Sequence, residues 1–298
     1  MKKILLFVML LVPFGLTAQD DLLGMLDSVA PPHTDVTTAT FKATRIVTGH
    51  SVERMKEGQL EFRISHRFGR MNTGVDNFFG LDESNISLCL EYGITDWLEI
   101  GVQRTSRDKI VEGFTKLSLL RQSSGASWMP VTISYVGAID INTMPWQYPE
   151  RNNYFTSRLT FVHQILLARK ITEELSLQIS PSFFHRNMVA TEFDENDEYA
   201  FGIGGRYKLS NRISINAEYF YVYRPDKRTT GDNSTSGFTN PISVGLDIET
   251  GGHVFQLMLS NSRGMIDKHY ITETTGLMNK GDIHLGFNIS RVFTLFGE

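Results

Sequence analysis

From residue 58 to the C-terminus, apolar and polar side chains alternate with a period of two. The segments Leu60–Ser65, Ile213–Tyr221 and Ile283–Ser290 are clear examples. Since successive side chains of a strand point to opposite faces, this pattern predicts strands with one apolar face. Ten segments alternate cleanly, and Ile110–Arg121 and Val131–Ile141 are β-prone but less regular. We therefore predict about twelve strands.

The connections between these segments alternate in length. Short ones lie at 95–96, 171–174, 210–211 and 250–252, with a moderate one around 122–129. Between them fall longer polar ones, at 69–84, 141–153, 187–198, 224–240 and 261–282, and one short exception at 104–109. Tight turns at one end and long loops at the other are typical of outer-membrane barrels. The fold class predicted is all-β, a single antiparallel transmembrane β-barrel of about 12 strands.

The lengths and ends of the segments agree with this prediction. The clear strands run for about 9–13 residues, as a tilted span of the outer membrane needs. Aromatic residues gather near their ends, as in the girdles of membrane barrels. Those residues are Phe68, Tyr92, Tyr154, Phe155, Tyr199, Tyr207, Tyr223 and Phe293. An even number of strands places both chain ends on one side, the periplasmic side.

The N-terminus reads as a secretory signal peptide over residues 1–18. Lys2 and Lys3 precede an apolar run at Ile4–Leu16, and Ala18 stands before the expected cut. We therefore predict three parts, a signal peptide at 1–18, a periplasmic N-terminal extension at 19–57 and the barrel at 58–298. The extension either folds back as a plug, adds a strand, or offers a surface to a periplasmic partner, and the sequence leaves these open.

Composition excludes several classes of protein. Loss of residues 1–18 takes the formal net charge from −4 to −6, which gives no reason to expect nucleic-acid binding. The single cysteine, Cys89, can form neither an internal disulfide nor a thiolate metal site. After Ala18 no run of about 18 apolar residues occurs, so helical membrane spans are not expected. No cofactor or metal is predicted.

The polar phase of the predicted strands should face the lumen. It carries five acids and five bases, namely Glu61, Arg63, Arg67, Glu91, Glu99, Lys116, Arg158, Arg206, Glu218 and Asp247. Two functions stay open. One is a passive channel or transporter-like barrel for an unidentified small solute. The other is a structural or interaction barrel whose lumen is closed by charge pairs, such as Glu61 or Glu99 with a nearby base, since balanced charge favours pairing over ion selectivity.

A membrane hydrolase is the third alternative. Its nucleophile and base must lie within hydrogen-bond reach, and no such constellation stands out, so no enzyme is predicted. The loop residues that would have to converge are Asp76, Asp82, Asp226, Asp267 and His269.

The acidic loop 193–199 carries Asp194, Asn196 and Glu198, which could bind divalent cations. It lacks the glycine and distal glutamate of a calcium loop, so solvation is the default.

Several segments resemble a family of bacterial outer-membrane β-barrel proteins of unknown function. They are FKATRIVTGHSVE at 41–53, FRISHRFG at 62–69, FFGLDESNISLCLEYGITDWLEIGVQR at 79–104 and FTKLSLLRQ at 114–122. The resemblance covers most of the mature chain and is sharpest in its first half. It implies a barrel and an export signal, and hence contact with outer-membrane lipid and the barrel assembly machinery. It implies no chemistry.

Overall fold

Twelve strands close into one barrel in the computed structural model, which describes residues 33–189, 194–224 and 237–296. The barrel strands are β2 (Gln59–Arg70), β3 (Ser84–Thr95), β4 (Leu98–Thr105), β5 (Ile110–Leu120), β7 (Thr132–Asn142), β8 (Leu159–Lys170), β9 (Leu175–Arg186), β10 (Asp197–Lys208), β11 (Ile213–Tyr223), β12 (Ile242–Thr250), β13 (His253–Ser260) and β14 (His284–Thr294). The short strands β1 (Thr34–Val36) and β6 (Ser123–Gly125) form a separate pair. The predicted fold class and strand number are confirmed.

Each barrel strand pairs antiparallel with its neighbours in the chain, and β14 pairs with β2 to close the ring. The helical elements are short: 3-10 turns at Met71–Thr73, Val75–Gly80, Arg107–Lys109, Phe155–Arg158 and Met278–Lys280, and a π-helix at Lys268–Thr272. None of the helices in the described ranges is long and apolar enough to span a membrane.

Alternation along each strand separates two environments. In β11 every second residue from Ser214 to Val222 is buried, whereas Ile213, Ile215 and the three tyrosines at 219, 221 and 223 are exposed. An exposed face built from isoleucine, leucine and aromatic side chains is costly in water and suited to lipid. The buried phase therefore faces the lumen.

The two irregular segments are strands β5 and β7. The inward phase of β5 mixes Ile110 and Phe114 with Glu112 and Lys116, and all four are buried. Because apolar side chains occupy both faces of this strand, its sequence does not show clean alternation.

The connections at one end of the barrel are mostly short and those at the other end mostly long, with the short connection 106–109 between β4 and β5 as the exception at the long end. We name these the short-turn end and the long-loop end. The chain enters and leaves at the short-turn end, where the Leu295 amide donates to the Gly58 carbonyl at 2.9 Å. Strand β1 lies at the same end, because its partner β6 belongs to the connection between β5 and β7. The signal peptide predicted at 1–18 lies outside the described residues.

Candidate functional site: a filled lumen

Residues 40–55, here called the plug segment, lie inside the barrel. Phe41, Ile46, Val47 and Val52 are each at most 3% exposed. The segment folds into a tight hairpin, in which the Ile46 amide donates to the Gly49 carbonyl at 2.9 Å. The sequence left the placement of this part of the chain open. In the structure it folds back into the lumen.

A carboxylate of the barrel wall holds the tip of the hairpin. Glu218 on β11 accepts backbone hydrogen bonds from Thr48 at 2.7 Å, from Gly49 at 3.2 Å and from Val47 at 3.4 Å. A buried backbone amide without a partner is costly, so an irregular segment in a lumen needs acceptors on the wall. Glu218 supplies them for three successive residues.

A second acid holds the base of the hairpin. Glu99 on β4 accepts from the Met55 amide at 2.6 Å and pairs with the Nζ of Lys116 at 3.4 Å. The same Lys116 Nζ donates to the Glu53 carbonyl at 2.7 Å. Glu99 and Lys116 therefore form an ion pair with each other and also bind the plug segment.

Amide and guanidinium side chains of the wall complete the attachment. Gln178 accepts from the Val52 amide at 3.0 Å and donates to the His50 carbonyl at 2.7 Å. Asn288 donates to the Val47 carbonyl at 3.1 Å, and Arg206 donates to the Thr40 carbonyl at 3.3 Å. Barrel strands on all sides of the lumen therefore bind the plug segment through side chains.

The wall also offers the plug an apolar surface. Phe41, Ile46, Val47 and Val52 form one buried cluster with Val136, Leu166, Ala168 and Met258. These wall residues were not predicted, because the alternation was interpreted as placing the polar phase of each strand in the lumen. The sequence does contain a sign of an apolar lumen surface. Val162 and Leu166 share the inward phase of β8 with Thr160 and Gln164, and apolar side chains would be unfavourable in a water-filled lumen.

Ion pairs form beside the plug. Arg63 binds Glu61 at 3.0 Å and Glu91 at 2.6 Å, and Arg45 of the plug segment lies 3.6 Å from Glu91. All four side chains are buried. Desolvated charges persist only when they are paired, so this network depends on every member.

Nine of the ten predicted lumen residues are buried on the inward phase of the strands. Arg158 is placed differently, at the end of a 3-10 turn before β8. It is half-buried at the long-loop end, donates to the Asn142 and Met144 carbonyls at 2.6 Å and lies over the Trp146 ring. Glu112 and Asp140, which were not predicted, are buried directly opposite each other on β5 and β7.

A loop from the opposite end also enters the lumen. Residues 261–275, here called the inserted loop, bury Ile266, Tyr270 and Ile271 almost completely. The Tyr270 hydroxyl hydrogen-bonds the Ser243 hydroxyl at 2.8 Å. Asp267 lies 3.6 Å from His50 of the plug segment, so the two fillings meet inside the barrel.

The loop residues considered for hydrolysis are engaged elsewhere. Asp267 faces the plug segment, whereas His269 lies 3.1 Å from Asp108. Asp76 and Asp82 are exposed in the 71–83 loop, and Asp226 lies outside the described residues.

Two of the three candidate ligands of the acidic loop contact Arg186. Glu198 pairs with Arg186, and the Asn196 side chain donates to the Arg186 carbonyl. Asp194 lines a cavity, and Phe193 lies outside the described residues. A solvated loop stays the prediction, with cation binding as its alternative.

Two cavities open at the long-loop end. One of about 430 Å³ is lined by Trp146, Arg158, Arg186 and Lys268, among others. The other, of about 450 Å³, has Arg70, Arg107, Arg263 and His284 on its walls. Both also touch Glu273 of the inserted loop, so this loop separates two polar vestibules.

Gly93 marks where the plug segment leaves the lumen. A Cβ at this position would stand 2.0 Å from the Lys56 carbonyl oxygen, whereas a Cβ at Gly113 on β5 would meet nothing within 4 Å. We expect Gly93→Ala to loosen the base of the plug segment and Gly113→Ala to leave it unchanged. Limited proteolysis checks this, with faster cleavage between residues 40 and 56 expected only in Gly93→Ala. Equal cleavage of both variants would contradict this account of Gly93.

Comparison with known proteins agrees with the architecture. A family model described as a membrane bound beta barrel domain matches residues 41–293. No curated protein sequence matches the chain. Among solved structures, the NanC porin shares 8% identity with a TM-score of 0.49, over 80% of this chain and 100% of that one. An outer-membrane channel from Pseudomonas putida F1 shares 12% identity with a TM-score of 0.44, over 81% and 98%. With TM-scores below 0.5, neither similarity bears on what this chain binds or transports.

Proposed function

Because the chain belongs to the family of membrane-bound beta barrel domains (DUF5777), we propose that it is an outer-membrane barrel closed at rest by its own N-terminal segment. The observation that carries the proposal is the burial of the plug segment, whose Val47, Thr48 and Gly49 amides all bind Glu218. An open porin keeps a water-filled lumen. Here the inward side chains bind the plug segment instead of water.

The same arrangement supports an orientation in the membrane. Long loops of outer-membrane barrels are extracellular and tight turns periplasmic. The short-turn end, with β1 and both ends of the described chain, then faces the periplasm, and the two vestibules face outward. A periplasmic partner would reach the plug through β1, whose Asp35 and Val36 are exposed.

Conductance of the intact chain tests the closed state. The full-length mature protein, folded into planar bilayers without denaturant, is expected to give no openings above the lipid background at low voltage. A general porin of similar strand number serves as the positive control. Steady openings from every inserted barrel would contradict the proposal and favour a passive channel.

Gated passage of a small polar solute is the second candidate. The attachment of the plug segment favours it. Side chains of the wall, rather than backbone pairing with the strands, supply hydrogen bonds to this segment. The plug can therefore leave without breaking the closed ring. The polar vestibules at the long-loop end supply an entrance.

A further inference from the structure

Three side chains with metal-binding atoms meet at the long-loop end. The Nε2 of His269 lies 3.1 Å from Oδ2 of Asp108 and 3.6 Å from Oε2 of Glu273. One ligand atom from each residue falls within 4.8 Å of the others. His269 and Glu273 belong to the inserted loop, and Asp108 belongs to the connection between β4 and β5.

In the described part of the chain, the imidazole of His269 is buried and unsatisfied. Its side chain is 1% exposed, and among the described residues neither ring nitrogen has a hydrogen-bond partner of acceptable geometry. A buried polar ring in this state is costly.

We propose that Asp108, His269 and Glu273 bind a divalent transition-metal ion of the zinc type. Bonds of about 2.0–2.2 Å from Zn²⁺ to nitrogen and oxygen put neighbouring tetrahedral ligands roughly 3.3–3.6 Å apart. The two distances from His269 Nε2, 3.1 and 3.6 Å, are close to that spacing. An imidazole among the ligands disfavours Ca²⁺ and Mg²⁺, which select oxygen.

Neighbouring cations contact the other oxygen of Glu273. The Nζ of Lys268 lies 3.6 Å from Oε1, and a guanidinium nitrogen of Arg186 lies 3.9 Å from it. Contacts of this kind orient a metal-binding carboxylate, and they leave Oε2 directed at His269. They also reduce the attraction for a cation, so we expect moderate rather than very tight binding.

The bound ion would tie the inserted loop to the barrel rim. Asp108 lies in the 3-10 turn Arg107–Lys109, which is anchored on both sides by strands β4 and β5. His269 lies in the π-helix Lys268–Thr272, beside Tyr270 and Ile271 in the lumen. The site would therefore stabilise the closed long-loop end, and it stands whether or not the barrel conducts.

Zinc titration of the untagged, chelator-treated, full-length mature protein in detergent tests the site. Calorimetry is expected to show one Zn²⁺ per chain, and excess Zn²⁺ is expected to raise the thermal unfolding midpoint. Asp108→Asn, at a half-exposed loop position, should weaken binding by at least about tenfold. His269→Gln should abolish it. His253→Gln, which changes a histidine at the short-turn end, is the matched control and should bind like wild type.

Three results would overturn the proposal. The wild-type protein would show no saturable Zn²⁺ binding, or Asp108→Asn and His269→Gln would keep wild-type affinity, or Ca²⁺ would displace Zn²⁺ at equal concentration. Because Asp108→Asn changes a loop side chain outside the strands, its effect on binding can be read even if His269→Gln fails to fold.

Discussion

Val47→Asp is expected to convert the closed barrel into a conducting one. Val47 is 1% exposed and packs in the apolar cluster around Leu166, beside the carboxylate of Glu218. An aspartate there would be buried in an apolar cluster and would lie close to a like charge. A penalty of about 3 kcal/mol would raise the population of barrels with a displaced plug by about a hundredfold.

Planar-bilayer recordings measure this population as openings per inserted barrel. The wall of the barrel is unchanged in Val47→Asp, so loss of the plug rather than loss of the fold explains new conductance. Val36→Asp is the matched control, because Val36 belongs to the same extension but lies in β1 and is 41% exposed. If neither variant shows openings although the barrel is folded, then displacing the plug segment does not open a path. Openings in the control as well would show that the effect is not specific to the lumen.

Arg63→Met is expected to cost about 3–5 kcal/mol of unfolding free energy, the range for breaking a buried ion pair from one side. Glu61 and Glu91 stand directly opposite each other on β2 and β3, and both bind this guanidinium. Without it, two buried carboxylates face each other, and the ion-pair partner that remains among the described residues is Arg45, 3.6 Å from Glu91. Methionine keeps much of the volume, so the loss reports charge rather than a cavity.

Urea unfolding of the barrel in lipid vesicles measures that cost. Arg169→Met is the control, since Arg169 is exposed on the outward phase near the end of β8, and we expect it to change stability by less than about 1 kcal/mol. Equal stability of the two variants would mean that the Glu61–Arg63–Glu91 network contributes nothing net.

The strands were predictable because each membrane-spanning strand shows its pattern within its own segment of the sequence. Each span must show lipid an apolar side chain at every second position, and Ile213–Tyr221 does so without reference to any other segment. The weak segments β5 and β7 illustrate the limit. Their inward residues, such as Phe114 and Val136, are apolar because they face other buried side chains, not lipid.

The candidate site was predictable only in part. The alternation identified Glu61, Glu99 and Glu218 as inward charges, but it could not tell whether water, a base or a backbone amide would satisfy them. The contact between Thr48 and Glu218 joins residues 170 positions apart. The same holds for Asp108 and His269, which come together only when a loop of the chain folds into the ring.

The alternation in the amino-acid sequence predicts the barrel, about twelve strands and most of the charged residues on the inward phase, since a period of two is imposed by strand geometry and by lipid on one side. The tertiary structure alone decided that the lumen is filled. An inward carboxylate has the same sequence pattern whether it faces water or the amides of Val47, Thr48 and Gly49. Only the path of a chain that returns through the ring distinguishes a pore from a plugged barrel.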